Sequence, residues 1–367
     1  MRDIFLLGAG FSRAVFNGMP LMKELSEGLR KTIPSHQQEA VAFGDDLEMW
    51  LTYLAQSHPW LTEAQNLRNR AQFLELTGEV GRIVGSAVHQ AFQKGFPAWF
   101  KNLVCYWHES GSRSTVVTLN YDTLIEECLC EFPVREMPLI SEIARQGNFR
   151  PRLRDVYPVP MKYFGADSSF RSDPALGYRP NDGPVGTFHL LKPHGSINWF
   201  YSGSAGFASE TPHVSMKETG LRCSGSIRDL VPPAVPQETQ DLEFLIAPPI
   251  ANKIPYFENR TISGIWRKAS EALIHSDRVF CLGYSLPETD LTFRFWLAAG
   301  LREQVIYIVN TDPKAADHYR EYLPPSYRTN DSLIRAVDSM PRFVCSLIKA
   351  DPDTLLSGEG GFADPQA

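Results

Sequence analysis

A turn that can bind phosphate follows the first apolar run of the chain. The apolar residues 4–7 lead directly into the sequence Gly-Ala-Gly-Phe-Ser at 8–12. Glycines have no Cβ, so the backbone can approach a pyrophosphate, and the N–H groups at the start of the following helix favour negative charge. Arg13 stands where the dinucleotide-binding fingerprint has its third Gly or Ala. Taken alone, the turn fits a nucleotide site and a purely structural strand-to-helix turn about equally well.

Two side chains in the middle of the chain are suited to chemistry on a sugar or a water molecule. Asn120 follows the β-branched run 114–119, and His194 follows the apolar run 188–193. An amide both donates and accepts hydrogen bonds, and an imidazole with a pKa near ~6.5 can act as a general base at neutral pH. Each has a structural alternative, because Asn favours turns and a lone His is more often a core residue, while Asp122 can cap the next helix.

Two more apolar runs end in small or polar residues. Gly283 and Ser285 follow the run 278–282, and Asn310 follows the run 304–309. The carboxyl ends of strands in a doubly wound sheet share one edge, so we expect these residues to meet the earlier ones in a single crevice. Five such ends are harder to explain by structure alone than any one motif.

Strand and helix patterns alternate along the chain, which is typical of an α/β fold with a doubly wound parallel sheet. Helical periods of apolar residues fill 21–110 and predict a large helical insertion. We expect a sheet domain built from 1–20 and 111–350, the insertion at 21–110, and a disordered tail at 351–367. The six predicted strands are 4–7, 114–119, 188–193, 243–247, 278–282 and 304–309.

Composition and charge narrow the functional classes. The 367 residues include 36 basic and 42 acidic side chains and carry a formal charge of −6. We therefore expect no direct nucleic-acid binding. No apolar run reaches the ~20 residues that span a bilayer, so we expect a cytoplasmic protein without membrane contact. The six cysteines include no C-x-x-C pair, which argues against a zinc ribbon, and we expect no metal.

Five segments, taken in chain order, resemble the sirtuin series. They cover only a few dozen residues, but they extend from one end of the chain to the other. The segments are Gly-Ala-Gly-Phe-Ser at 8–12 with Gly-Met-Pro at 18–20, Thr-Leu-Asn-Tyr-Asp at 118–122, Lys-Pro-His-Gly-Ser at 192–196, Gly-Tyr-Ser-Leu at 283–286, and Val-Asn at 309–310.

The resemblance implies a Rossmann-like fold that binds NAD⁺, and it implies a role for each matching residue. The implied assignments are Gly8, Ala9, Gly10 and Ser12 for the phosphates and the nearby ribose, Asn120 and Asp122 for the nicotinamide side, His194 as the catalytic histidine, and Gly283, Ser285 and Asn310 for the adenosine half.

The departures from the sirtuin pattern point to one branch of that family. The chain lacks the four-cysteine zinc module of deacylating sirtuins, and Leu21 and Met22 stand where those enzymes have a Phe-Arg pair. Its helical insertion and its Gly-Tyr-Ser-Leu-Pro-Glu-Thr-Asp segment are similar to bacterial sirtuin-like proteins of antiphage defence. That branch is associated with cleaving NAD⁺ rather than with deacylating protein.

The sequence therefore favours an NAD⁺ glycohydrolase that uses NAD⁺ as a substrate and releases nicotinamide and ADP-ribose. Such an activity must be restrained in its own cell, so we expect control by homo-oligomerisation or by a separate partner. The family resemblance implies a HerA-type ATPase as that partner. Two alternatives stay open. One is a protein deacylase or ADP-ribosyltransferase, and the other is a non-catalytic subunit that binds NAD⁺ or ADP-ribose for regulation.

Overall fold

The computed structural model describes residues 1–32, 43, 46–131, 156–164, 187–202, 211–215, 242–247 and 254–349. The tail predicted to be disordered at 351–367 lies outside these residues. The strands are β1 Asp3–Leu7, β2 Ser114–Thr118, β3 Lys162–Phe164, β4 His189–Leu191, β5 Gly195–Ser202, β6 His213–Ser215, β7 Leu242–Ile246, β8 Arg278–Leu282, β9 Val305–Val309 and β10 Ile334–Val337.

Six parallel strands form the main sheet in the order β4-β2-β1-β8-β9-β10. From β1 the chain adds strands first on one side, as β2 and β4, and later on the other side, as β8, β9 and β10. The strand order thus reverses between β1 and β8, which is the arrangement of a Rossmann-like sheet. The predicted fold class, a doubly wound parallel sheet of about six strands, is confirmed.

One predicted member of this sheet is wrong. The strand at 243–247 exists, but as β7 it belongs to a second sheet of order β3-β6-β5-β7, where it pairs antiparallel with β5. The sixth strand of the main sheet is β10, which the sequence did not predict. β10 lies at an edge, and Arg335 and Ala336 in its middle are exposed, so it lacks the continuous apolar run of a strand buried on both faces.

Twelve helices occupy the described part of the chain. They are α1 Ala9–Val15, α2 Met22–Thr32, α3 Leu47–Ala55, α4 Glu63–Lys94, α5 Ala98–Ser110, α6 Leu124–Glu131, α7 Ile254–Phe257, α8 Arg260–Ile274, α9 Leu291–Gly300, α10 Ala315–Tyr322, α11 Pro325–Thr329 and α12 Met340–Ile348.

The helices α2 to α5 lie where the sequence shows helical periods, and local chemistry explains how the longest of them begins. The Thr62 side chain accepts a hydrogen bond from the backbone N–H of Gln65, and the Gln65 side chain accepts one from the backbone N–H of Thr62. This capping box satisfies two N–H groups at the start of α4. Further along α4, the missing side chain of Gly81 leaves room for the Phe244 ring of β7, since an added Cβ would lie 2.8 Å from it.

An aromatic core joins α5 to the main sheet. The fully buried Trp107 of α5 lies with its ring centroid 5.4 Å from that of Phe5 on β1 and 5.7 Å from that of Phe188. Phe5 in turn stacks on Phe280 of β8 at 4.8 Å. These rings bury the two central strands and hold the strand ends that carry the candidate site. Among the described residues, no helix combines the length and the apolar character needed to cross a membrane.

Candidate functional site

The turn between β1 and α1 packs directly against the segment that follows β8. The Gly8 N–H donates to the Leu282 carbonyl at 3.0 Å, and the Gly10 N–H donates to the Gly283 carbonyl at 2.9 Å. A Cβ on Gly8 would lie 2.7 Å from the Gly283 oxygen, and one on Gly10 would lie 2.8 Å from it. The two glycines are thus required by backbone packing at the switch point, whereas Ala9 between them is exposed. Their phosphate-binding role stays a prediction.

The segment after β8 has backbone conformations that few residues adopt. Gly283 has φ +61°, and a Cβ there would lie 2.0 Å from the Phe11 nitrogen. Leu286 has φ 56° although it has a side chain, which costs roughly 1–2 kcal/mol. Arg294 of α9 donates to the Leu286 carbonyl at 3.1 Å. The predicted site residue Ser285 lies in this segment and is exposed.

The Asn120 side chain, just after β2, is held by both of its donor hydrogens. Its Nδ2 atom donates to the Gly8 carbonyl at 2.8 Å and to the Ser12 hydroxyl at 2.8 Å. An amide has two N–H donors and one carbonyl acceptor. Both donors are used within the protein, so Asn120, which is partly exposed, can act on a ligand only as an acceptor through Oδ1.

Ser12 and Asp122 extend the contact made by Asn120. The Ser12 hydroxyl donates to Asp122 Oδ2 at 2.6 Å, and the other carboxylate oxygen, Oδ1, accepts from the backbone of Leu124 at 3.2 Å. Burial raises the pKa of Asp122, against the opposing effects of Lys192 and of these two hydrogen bonds. Asp122 therefore performs the helix-capping role that the sequence allowed and also orients the Ser12 hydroxyl beside Asn120.

His194 lies between β4 and β5, in a segment tied to the Asn120 segment through the backbone. The Ile197 N–H donates to the Tyr121 carbonyl at 2.9 Å, and the His194 carbonyl accepts from Ala247 at 2.8 Å. The imidazole is 5% exposed, and its centroid lies 6.4 Å from the Trp266 indole of α8. The two candidate catalytic residues therefore stand on neighbouring segments that the backbone hydrogen bond from Ile197 to Tyr121 joins.

Asn310 lies at the same edge, after β9, and has a local structural role. Its N–H donates to the Val337 carbonyl at 3.0 Å, and its side-chain oxygen accepts from the Asp312 backbone at 3.0 Å. The neighbouring carbonyl of Val309 accepts from Gly283 at 2.8 Å. Asn310 is thus adjacent to the segment after β8, and its amide group has hydrogens that it can offer to a ligand.

The structure joins some predicted site residues directly and others only through the backbone. Hydrogen bonds link Gly8, Ser12, Asn120 and Asp122 into one cluster, and Gly10 bonds to Gly283 beside it. His194 and Asn310 connect to that cluster through their segments. The predicted convergence at the carboxyl edge of the sheet is therefore a feature of the fold, while the roles of the individual residues remain predictions.

Sequence reasoning missed a fully buried lysine beneath this cluster. Lys192 donates from Nζ to the Asp122 carbonyl at 2.5 Å, to the Ser196 hydroxyl at 2.7 Å and to Glu126 Oε1 at 3.0 Å. Glu126 also accepts from the Tyr157 hydroxyl at 2.6 Å. A lysine at the end of an apolar run was the available signal, because a charge in a buried strand needs a partner.

Within the described ranges, no group of three or more His, Cys, Asp and Glu side chains is placed to hold a metal ion. The cysteines described there, Cys105, Cys128, Cys281 and Cys345, are buried free thiols.

Comparisons with known proteins give structural neighbours only. No protein-family model and no curated protein matches the chain. A solved structure from work on the mechanism and regulation of Sir2 enzymes is 12% identical, with a TM-score of 0.41, covering 95% of this chain and 93% of that one. A structure from work on sirtuin substrate affinity is 11% identical, with a TM-score of 0.37, covering 95% and 92%. Sir2 bound to an inhibitor, an acetylated ADP-ribose and a deacetylated p53 peptide is 12% identical, with a TM-score of 0.37, covering 95% and 93%.

Proposed function

We propose that this protein is an NAD⁺ glycohydrolase, which cleaves the bond between nicotinamide and ribose. The observation that carries the proposal is the chain of hydrogen bonds from Asn120 through Ser12 to Asp122. It lies at the carboxyl edge of a Rossmann-like sheet, next to the point where the strand order reverses. Dinucleotides bind at that point in such sheets.

The chemistry requires an acceptor and a base around a positively charged sugar. As the glycosidic bond breaks, its electron pair leaves with the nicotinamide nitrogen, and the ribose passes through an oxocarbenium-like state. Asn120 Oδ1 accepts a hydrogen bond from a ribose hydroxyl or from the attacking water. His194 takes the proton that the water loses as its oxygen bonds to the anomeric carbon. The products are nicotinamide, ADP-ribose and one proton.

The remaining residues bind the rest of the dinucleotide in this proposal. The phosphates lie over the exposed Ala9 at the start of α1, where the positive end of the helix dipole favours anions. The adenosine half lies along the exposed Ser285 and the amide hydrogens of Asn310. Ser12 and Asp122 act indirectly, since both of their contacts serve to fix Asn120.

Product analysis tests the proposal most directly. The purified chain is incubated with NAD⁺, and nicotinamide and ADP-ribose are quantified by chromatography and mass spectrometry. We expect both products in equal amounts from the wild type, and loss of turnover with retained NAD⁺ binding in the His194→Ala variant. If nicotinamide appeared only when an acyl-lysine peptide was added, the enzyme would be a deacylase. NAD⁺ binding without any turnover, alone or with partners, would identify a regulatory subunit.

The biological setting is a further part of the proposal and rests on the sirtuin resemblance. NAD⁺ depletion would stop phage multiplication at the expense of the infected cell, and homo-oligomerisation or a HerA-type ATPase would restrain it before infection. The same product assay, repeated with a candidate ATPase, with nucleic acid and with both, measures this control. Turnover that is identical under all four conditions would rule out control by these components.

A further inference from the structure

The buried ammonium group of Lys192 has a complete set of acceptors. Its side chain is 0% exposed, and the partner carboxylate of Glu126 is 1% exposed. An ammonium has three N–H donors, and here they reach one carboxylate oxygen, one hydroxyl and one backbone carbonyl. Taking such a charge out of water is costly, so the geometry of these contacts is strongly specified.

Two of the three acceptors belong to the segments that carry the proposed catalytic residues. The Asp122 carbonyl lies two residues after Asn120, and Ser196 lies two residues after His194. One ammonium group therefore bonds to both segments at once, at 2.5 Å and 2.7 Å. A second tie runs parallel to it, because the Ser196 hydroxyl lies 3.3 Å from the Tyr121 carbonyl.

The third acceptor fixes the ammonium group itself. Glu126 is on the first turn of α6, and the buried hydroxyl of Tyr157 donates to the same Oε1 atom that Lys192 reaches. The contribution of Glu126 is to neutralise and orient Lys192. A charged, fully bonded group held in this way cannot shift without leaving a donor unpaired, which costs more than any small gain in packing.

We propose that Lys192 is a positioning residue that sets the spacing between Asn120 and His194. The proposal rests on the proposed function, since it concerns the same site. Lys192 touches no reacting atom in this scheme. It acts by holding the two segments so that an acceptor and a base face the same ribose, and a displacement of 1 Å in such an arrangement lowers turnover by about 100-fold.

The double variant Lys192→Met with Glu126→Gln separates this role from plain stability. It removes both charges of the ion pair together and keeps similar volumes, so neither partner is left as an unpaired buried charge, and replacing a buried ion pair in this way is often neutral for folding. It also removes the bonds to Asp122 and Ser196. Asp122, whose pKa Lys192 lowers, then becomes easier to protonate. We expect a folded protein with a kcat lower by about 100-fold and an almost unchanged Kd for NAD⁺.

Two further variants complete the design. Tyr157→Phe removes the bond to Glu126 and the 3.5 Å contact with Asn198 of β5, but it keeps all three acceptors of Lys192. It should therefore lower the melting temperature without changing kcat.

Ser196→Ala keeps the ion pair and the bond from Lys192 to the Asp122 carbonyl, but it removes the bond from Lys192 to Ser196 and the parallel contact of Ser196 with the Tyr121 carbonyl. We expect a loss of about tenfold in kcat. Ser196→Ala also provides the test if the double variant does not fold.

A measurement without substrate keeps the two proposals apart. The Ile197 N–H bonds to the Tyr121 carbonyl across the two segments, so its hydrogen exchange reports whether they stay together. Faster exchange at Ile197 in the double variant or in Ser196→Ala, but not in Tyr157→Phe, supports the role of Lys192 even if the wild type releases no nicotinamide and the proposed function fails. Exchange and kcat at wild-type levels in both variants would overturn it.

Discussion

The amino ends and the carboxyl ends of the strands in the main sheet form two opposite edges, here called the amino edge and the carboxyl edge. Each holds a buried aspartate, and the two aspartates have different partners. At the amino edge, Asp3 accepts from Arg278 Nε at 2.9 Å and from Arg278 Nη2 at 2.6 Å, and Tyr106 donates to it at 2.9 Å. At the carboxyl edge, Asp122 accepts only from a hydroxyl and a backbone N–H. Asp3 is 6% exposed and Asp122 is 8% exposed, so burial does not distinguish them.

The difference lies in the charge of the partners. The guanidinium of Arg278 pairs with Asp3 through both of its facing donors, and this bond raises the pKa of Arg278. This bidentate ion pair joins β1 to β8 at the amino edge. At the carboxyl ends of the strands, the Asp122 carboxylate accepts only from neutral donors. The chain of hydrogen bonds that it supports ends at the side chain of the partly exposed Asn120, whose Oδ1 stays available as an acceptor. One edge therefore locks the strands together, whereas the other presents an acceptor.

We expect the largest effect from a substitution that disturbs the close backbone packing of Gly283 against α1 at the carboxyl edge. Gly283→Ala places a Cβ 2.0 Å from the Phe11 nitrogen at a positive φ, and we expect the free energy of unfolding to fall by roughly 2–5 kcal/mol. Gly78→Ala is the matched control, since nothing lies within 4 Å of its added Cβ. Ala in place of Gly within a helix should raise the free energy of unfolding by about 0.5–1 kcal/mol. Denaturant unfolding measures both, and equal effects would show that the close packing at Gly283 is not needed.

The next effect concerns the acceptor at the carboxyl edge. Asn120→Ala removes Oδ1, and we expect kcat for NAD⁺ cleavage to fall by about 100-fold, or ~2.7 kcal/mol of transition-state stabilisation. Asp3→Asn, at the other edge, should leave kcat of the folded enzyme unchanged. Steady-state kinetics on both variants decides the matter. Similar losses in the two would mean that the edges do not differ in function.

Substitutions at the amino edge should lower the stability of the protein and leave its kcat unchanged. Arg278→Leu leaves the Asp3 carboxylate buried without its guanidinium, and we expect unfolding to become easier by about 1–2 kcal/mol, less than for a fully buried pair because Arg278 is 27% exposed. Arg342→Leu breaks a pair whose members are 74% and 76% exposed, and it should cost under about 0.5 kcal/mol. Thermal and denaturant melts compare them, and a drop in kcat for Arg278→Leu would contradict the purely structural role.

The smallest expected effect is the pH dependence that Asp122 adds. Burial raises its pKa above the ordinary 3.8, so the Asp122 carboxyl group binds its proton more tightly in the folded state than in the unfolded state. The resulting stabilisation is complete below pH 3.8 and is lost as the pH rises through the folded pKa. Unfolding experiments between about pH 7 and pH 4 should therefore show wild type gaining stability relative to Asp122→Asn as the pH falls. Parallel curves would mean that Asp122 does not titrate in this way.

The sequence predicted the central strands and their polar ends correctly because buried parallel strands need continuous apolar runs. The runs before Gly8, Asn120 and Gly283 had this form, and all three became neighbours in the main sheet. β10 was missed because half of it faces solvent. The run at 243–247 was assigned to the wrong sheet because a short apolar run carries no information about which strand it pairs with.

The sequence by itself determined which apolar runs form the central parallel strands and the types of residue at their carboxyl ends, since both follow from local hydrophobic pattern and turn chemistry. Only the tertiary structure decided how those residues are used. Asn120 and Ser12 are 108 residues apart in the chain. Their hydrogen bond and the one from Asn120 to Gly8 use both N–H donors of the amide, so that only its oxygen can bind a ligand. Lys192 found its three partners in the same way, because a buried charge is satisfied by whatever the folded chain brings within hydrogen-bond distance, which no local spacing encodes.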